Sequence, residues 1–463
     1  MCTELQHLKN RYPKHFIEII MAENTVEEKL DFKKILPIFI IVLIDLMGLT
    51  IIIPMMPLYA VSFGADPIAL GLLGAMYPAA QFIGAPLLGR LSDKIGRRPV
   101  LLLSQIGTLI GFLLLGTANS LWVLYLSRFI DGLSGANIST AQAVISDVTS
   151  EKNRTKGMGL IGAAFGIGFI IGPVIAFAGL MLSGDNYHVP AFIAAGFSLC
   201  SILLTTFLLD ETHPKDGKQA ASHKPAFSIA ELFRSLRKPH IGFLLLLLFL
   251  QQITFGGMEQ FLSIFTLGTL GVYASLNAII FVYVGFFIIL VQGKMIGIWS
   301  RKWGDGRLVK RGLVLLGIGF LMTAMTPHQV IPTYTKEAVQ HALEHPHTLA
   351  GTTPPAHHLA VPLPNDHDKG WLGIGWLLLA IVPMAIGGGI LHPGLNSLLT
   401  KHSDPQDIGG TLGIASAFYS AANAFAPLIT GVVFKFFGFS TPFLLWTLLI
   451  AVLYIVARKQ IAS

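Results

Sequence analysis

Charge is scarce in this chain. Asp, Glu, Lys and Arg make up 12% of its 463 residues, about half the roughly 25% of an ordinary soluble domain. Apolar residues reach 53%, more than the available polar surface could cover in water, so the composition implies lipid as solvent. Cysteine is nearly absent as well. Cys2 and Cys200 exclude a disulfide framework, and Cys200 sits in an apolar run where packing accounts for it. Residues 1–34 lack a long apolar run and carry an acidic cluster at Glu23, Glu27 and Glu28. No signal peptide is expected there, and the stretch reads as a disordered cytoplasmic leader. The net charge of +7 belongs to the links between apolar runs, which speaks against nucleic acid as a partner.

What the chain has instead is apolar runs. They recur near 35–58, 68–90, 100–118, 121–143, 157–182, 190–209, 241–265, 276–298, 311–326, 371–397, 409–434 and 441–457. A helix needs about 20 residues to cross a bilayer, so an all-α membrane protein of twelve transmembrane helices is expected. Placing the N-terminus inside puts twenty-seven Lys and Arg residues inside and three outside, Lys336, Lys369 and Lys435. Both termini are then cytoplasmic.

The two halves repeat. Gly297, Ser300, Arg301, Lys302 and Gly304 copy the spacing of Gly89, Ser92, Asp93, Lys94 and Gly96 at an offset of 208. Gly172-Pro173 corresponds to Ala426-Pro427 at an offset of 254, and the extra chain matches a polar stretch at about 327–370. The expected organisation is a leader at 1–34, a six-helix half at 35–209, a cytoplasmic linker at 210–240, a second half at 241–457 with the external insertion, and a tail at 458–463. Parallel halves place a substrate site midway between them.

Polar groups inside the apolar runs are costly and therefore informative. A carboxylate at the centre of a span costs about 2.5–3.5 kcal/mol. Asp45 in the first run and Glu259 in the seventh read as proton carriers or contacts for a cationic group, or as structural acids bonded to neighbouring helices. At about 1.5 Å per residue, Asp45 stands about 15 Å in, at mid-bilayer, and Glu259 about 27 Å in, near the external face. This depth favours Asp45 as carrier and Glu259 as a substrate or gate residue. Arg128 and Asp131 are three apart on one helix face. They can neutralise each other, or Arg128 can tune a protonatable acid through its field. Tyr77, Gln81, Asn137, Gln142 and Gln260 are further candidates for a cavity wall, and Lys294 can snorkel to the surface.

Gly89-Arg-Leu-Ser-Asp93-Lys-Ile-Gly96-Arg97-Arg98 lies between the second and third runs as a short basic connection. The pattern G-x-x-x-D-K-x-G-R-R resembles the signature of the major facilitator superfamily at that place. Leu126 to Gly132 resembles the superfamily's fourth-helix motif, whose arginine, here Arg128, is associated with proton coupling; Asp131 stands where Gln is more usual. Gly159, Gly168, Gly172 and Pro173 resemble the fifth-helix motif of antiporters, with Ala176 and Phe177 in place of its last glycines. Such small residues are expected to pack closely where the halves meet. Asp210-Glu211-Thr212 also fits. The first five runs are similar to the tetracycline-resistance group of drug:proton antiporters, while Gly257-Met-Glu259 and Val291-Gln-Gly293 are closer to its eukaryotic relatives. The third-helix acid of that group has Gly111 in its place. The resemblance implies a latch that forms when the cavity opens outward. Arg97 would then reach Asp147, and Asp93 the start of the eleventh helix near Gly409-Gly410.

The insertion carries seven of the fifteen histidines. His341-Ala-Leu-Glu344-His345 matches H-x-x-E-H, which sets two imidazoles one turn apart. A short loop supplies neither cleft nor dependable third ligand, so zinc hydrolysis is not expected; capture of a transported metal ion is the minority reading, and no metal site, cofactor or catalytic residue is assigned. Its prolines and lack of an apolar face point to a solvated loop whose deletion over 334–366 leaves the fold intact. The reading is a secondary active transporter, by proton-coupled antiport, exporting small amphipathic compounds. It would work as a monomer in a plasma or bacterial inner membrane, with protons, a small-molecule substrate and the bilayer as partners. The alternatives are uptake by symport or uniport, or a non-transporting sensor on the same fold.

Overall fold

A computed structural model describes residues 32–135, 137–149, 151–212, 229–345, 359–403 and 408–461. The leader, most of the linker and the middle of the insertion lie outside them. The described residues are almost wholly helical. In the first half these are α1 (Phe32–Ile52), α2 (Met56–Val61), α3 (Pro67–Ile95), α4 (Arg97–Gly116), α5 (Leu121–Ser134), α6 (Asn137–Val148), α7 (Glu151–Ser183) and α8 (His188–Leu208). The second half has α9 (Ile229–Leu236), α10 (Ile241–Leu270), α11 (Ala274–Leu290), α12 (Ile296–Trp303), α13 (Asp305–Ala324), α14 (Lys336–Glu344), α15 (Leu372–His402), α16 (Ile408–Phe437) and α17 (Thr441–Gln460).

Among the described residues ten spans are long and apolar enough to cross a membrane. Two more complete the twelve. The fourth crossing is broken at Gly135 into α5 and α6, and α13 carries Asp305, Arg307, Lys310 and Arg311 in its first two turns. Those charges hid its start, which is Asp305 and not a position near 311. A π turn, Val291–Met295, joins α11 to α12 and holds the exposed Lys294.

The basic connection is shorter than its sequence implied. α3 runs on through Gly89 to Ile95, and Gly96 alone makes the turn, at φ 105°. Gly304 does the same between α12 and α13 at φ 77°. A side chain is disfavoured at both by backbone sterics. At Gly96 a Cβ would also collide with the Glu211 carboxylate.

Of the antiporter-type motif, Pro173 reaches the seam beside Phe281, Val284 and Gly285 of α11. Gly168 and Gly172 instead face Leu46 and Thr50 of α1, inside the first half, and Thr50 Oγ1 bonds the Gly168 carbonyl at 2.8 Å. Other residues build the rest of the seam. Gly71 and Gly74 of α3 admit Pro427 of α16, and Gly285 of α11 lies against the Phe169 backbone of α7. The start of α1, the end of α17 and the Gly96 and Gly304 turns share one face of the bundle, called the terminal face below. At the opposite face the halves are tied together. Ser263 Oγ and Asn277 Nδ2 each donate to the Pro54 carbonyl at 3.0 Å. Lys435 Nζ meets Asp66 Oδ2 at 2.6 Å, and the Ser275 amide donates to Asp185 Oδ1 at 3.1 Å. These four contacts join the two halves at this opposite face.

The described parts of the insertion are packed, against expectation. Val330, Ile331, Tyr334, Leu343 and Val361 are buried. Val330 bonds the backbone of Asp368 and Gly370, Ile331 bonds the Leu270 carbonyl at 3.0 Å, and Tyr334 Oη donates to the Pro364 carbonyl at 2.9 Å. The Tyr334 ring covers Gly271, which ends α10 in the left-handed region at φ 66°. These apolar residues are spread without helical or strand spacing through a polar stretch, so no periodic stripe announced them.

Candidate functional site

In the first half a cavity of ≈ 440 Å³ is walled by Asp45, Tyr77, Gln81, Thr108, Phe112 and Asp131, among others. Four sequence-chosen residues therefore share one space. Gln81 Nε2 donates to Tyr77 Oη at 3.2 Å and to the Gly135 carbonyl at 2.8 Å. That carbonyl is free because the helix breaks there and no i+4 amide claims it. Arg128 Nη1 pairs with Asp131 Oδ2 at 3.1 Å, with side chains only 6% and 3% exposed. The Arg128 guanidinium also stands 5.6 Å from the centre of the Phe112 ring. Arg128 is thus committed to Asp131, not to Asp45. Asp45 Oδ2 has Gln105 Nε2 at 3.4 Å, and that same nitrogen donates to Ser201 Oγ at 2.7 Å. Gln105 and Ser201 were missed. Their signal was the one that singled out Asp45, a polar group inside an apolar run.

The geometry accounts for the two departures noted at Gly111 and Asp131. A Cβ on Gly111 would stand 2.9 Å from the Asp131 Cβ. Asp131 of the fourth crossing packs against Gly111, where glycine leaves the room its side chain needs.

A second cavity of ≈ 420 Å³ lies between the halves, walled by Glu259 of α10 with Thr50, Phe169, Phe255, Phe281 and Ile288 among its neighbours. Glu259 does not sit at the opposite face. α10 is 30 residues long, about 45 Å, so a distance counted from its start overstates how near the acid comes to water. Above it the Pro54, Ser263 and Asn277 bonds close the bundle. Gln260, about 100° further round the helix, faces Gly74 of α3 at the seam and walls neither cavity. Gln142 is exposed, off the α6 stripe of Ala141, Val144 and Ile145, and also walls neither. Asn137 opens α6, but its side chain lies outside those described, as does that of Gly409. Gly159 lies in α7.

At the terminal face Arg97 Nε reaches Asp147 Oδ2 at 3.0 Å, while Nη1 reaches Asp93 Oδ1 at 2.5 Å and Ser92 Oγ at 3.1 Å. Asp93 is 60% exposed. Residues 404–407 and the surroundings of Gly409 lie outside the described ones, and with them the contact expected between Asp93 and the start of α16. Gly89 has nothing within 4 Å of a Cβ position. Glu211 accepts the backbone N–H groups of Arg97 at 2.9 Å and Arg98 at 3.2 Å, an anion capping the start of α4.

The repeat carries an inverted copy of this cluster. The offset of 208 sets Asp305 on Arg97 and Ser300 on Ser92, and the offset of 254 sets Lys401 on Asp147. In space Asp305 receives Ser300 Oγ, Ser397 Oγ at 2.6 Å, and Lys401 Nζ at 2.5 Å. A basic centre held by acids in one half becomes an acidic centre held by a base in the other.

In α14 the exposed His341 and His345 rings stack at 4.5 Å. Among the described residues no three ligating side chains gather around a metal position. His347, His357 and His358 lie outside the described residues.

Comparison with known proteins places this architecture. The sequence profile of the Major Facilitator Superfamily matches residues 38–335 and 370–460, skipping the insertion core. The chain is similar to the Escherichia coli "Tetracycline resistance protein, class E", 35% identical over 301 residues, 62% of this chain and 71% of that one. It is similar to the mouse "Major facilitator superfamily domain-containing protein 10", 24% identical over 460 residues, 87% of this chain and 88% of that one. In fold it matches the crystal structure of the human organic anion transporter MFSD10, with a TM-score of 0.63, 21% identity and coverage of 93% of this chain and 100% of that one. The chain belongs to the Major Facilitator Superfamily, as a transporter of the group that holds the tetracycline-resistance proteins and MFSD10.

Proposed function

We propose that this transporter is a proton-coupled antiporter that exports small amphipathic compounds from the cytoplasm. The Lys and Arg bias assigns the terminal face to the cytoplasm, so bonds at the opposite face make this an inward-open state. One observation carries the coupling: Asp45 is a carboxylate in the wall of an intramembrane cavity whose near neighbour is Gln105, while the nearby cation Arg128 is taken by Asp131. An acid without a cation can exist in the membrane with or without its proton, and exchanging that proton between the two faces is the act coupling needs. In the inward-open state Asp45 gives its proton to the cytoplasm. Substrate then enters between the halves, the terminal face closes as the second half swings onto the first, and the opposite bonds release. On the outside Asp45 is protonated again and substrate leaves.

Flux into proteoliposomes with an imposed pH gradient tests this, using lipophilic cations, anions and neutral compounds. Asp45→Asn should abolish concentrative, pH-driven transport while equilibrium binding of substrate survives. Continued accumulation against a gradient by Asp45→Asn would refute Asp45 as the carrier.

A further inference from the structure

We propose that His341 and His345 form a two-imidazole site for a divalent transition-metal ion, zinc or copper, on the outer surface of the insertion. The site lies away from the transport path and stands whichever way protons move. The two rings, both exposed on α14, stack at 4.5 Å with their planes 19° apart. Residues four apart share one face of a helix, and α14 is fixed by its other face. Leu343 is fully buried there, with Val339 packed beside it. Tyr334, just before the helix, is tied by its hydroxyl to the Pro364 carbonyl and covers Gly271 at the end of α10. The histidines are thus presented outward on a backbone already in place. An isolated helix of nine residues would first have to be ordered, at a cost to binding.

The orientation of the rings favours coordination. The His341 carbonyl accepts hydrogen bonds from the His345 amide at 2.9 Å and from His345 Nδ1 at 3.2 Å. A carbonyl can only accept, so Nδ1 carries the proton and the neutral ring keeps its lone pair on Nε2, the tautomer that ligates. An ion about 2.0–2.1 Å from each ring nitrogen bridges two rings this close, with water completing its shell. Imidazole nitrogens without a cage of oxygens select zinc or copper over magnesium and calcium. The local field agrees. The exposed Glu337 stands one turn before His341 on the same face, and Glu344 adjoins His345, its carboxylate held by Gln340 at 2.9 Å. Lys336, the one Lys or Arg of α14, turns to Asn365 Oδ1 at 3.4 Å. A bound ion ties successive turns of α14 together and so steadies the insertion over the end of α10.

The test is binding of zinc chloride to the untagged full chain in lipid nanodiscs, by calorimetry against empty discs, with magnesium chloride as competitor. The wild type should hold one zinc ion that His341→Asn and His345→Asn each weaken at least tenfold, and excess magnesium should not displace it. Joining Ala342→His to His345→Asn keeps the number of histidines but sets the two about 100° apart on the helix; this variant should bind as weakly as His345→Asn alone. With copper as probe, electron paramagnetic resonance should show two imidazole nitrogens on the wild-type ion and one in either single variant. Zinc should also slow amide exchange over residues 336–345 several-fold in the wild type and not in the variants. Both histidines are exposed, so the single variants should fold, and the wild-type copper spectrum and zinc-dependent exchange decide the matter without any variant. Equal zinc affinity in the wild type and both single variants, full binding by the respaced variant, displacement by magnesium, or unchanged exchange on zinc binding would overturn the proposal.

Discussion

The buried pair Arg128–Asp131 separates two roles that the sequence left open. At 3.1 Å and an effective dielectric of about 20, the pair attracts with about 5 kcal/mol. Removing one member of such a pair leaves an uncompensated charge and costs about 3–5 kcal/mol, whereas removing both can be nearly neutral. Arg128→Gln alone should therefore unfold at a clearly lower denaturant midpoint, and so should Asp131→Asn, more mildly because the remaining arginine keeps its contact with Phe112. The double variant should recover most of the loss. Transport divides the readings further. If the pair only neutralises itself, the double variant regains pH-driven flux; if its field tunes Asp45 next door, stability returns and the pH dependence of flux stays altered. Unfolding in a mild detergent with graded SDS gives the first quantity, and flux against external pH gives the second. A double variant as unstable as Arg128→Gln would refute the reasoning, because mutual compensation would then not be what the two charges provide.

Four further outcomes follow from named contacts. Gly96→Val should lose folded protein, since it strains φ at 105° and drives a side chain into Glu211; Gly89→Ala, with open space around it, should express normally, which size-exclusion yield compares. In the inverted cluster, Lys401→Glu should impair transport by setting an acid against Asp305, and pairing it with Asp305→Lys should restore much of it, as flux measurements would show. Burial pushes the Asp66 carboxyl up, but Lys435 and the Ala69 amide outweigh it and hold it below its usual range. The pair's contribution is then fully present above about pH 4 and lost only as pH falls through the lowered value, so spin labels across the ends of α3 and α16 should show no opening between pH 5 and 8. Deleting 334–366 should destabilise the protein, because it removes the buried Tyr334, Leu343 and Val361 at roughly 2–5 kcal/mol for each large apolar side chain; an unchanged thermal midpoint would contradict this.

Sequence by itself determined the twelve-span plan, since helices in lipid must be long and apolar to satisfy their own backbone, and that property is written locally. It also determined which polar residues matter, because each intramembrane Asp, Glu or Arg stands out against an apolar run. Tertiary structure alone decided their partners. Nothing in the spacing says that Asp131 takes Arg128 away from Asp45, that Gln105 comes from another helix to stand beside that acid, or that Gly111 yields space to a carboxylate across a helix pair. Those pairings depend on how ridges of one helix meet grooves of another. The same holds for Gly168 and Gly172, which allow close approach without naming the neighbour and turned out to face α1. The inverted cluster lay in the sequence at fixed offsets, yet its meaning appeared only when Asp305 and Lys401, 96 residues apart, met at 2.5 Å. Local chemistry dictates what each segment is; the packing of segments decides which charges find each other.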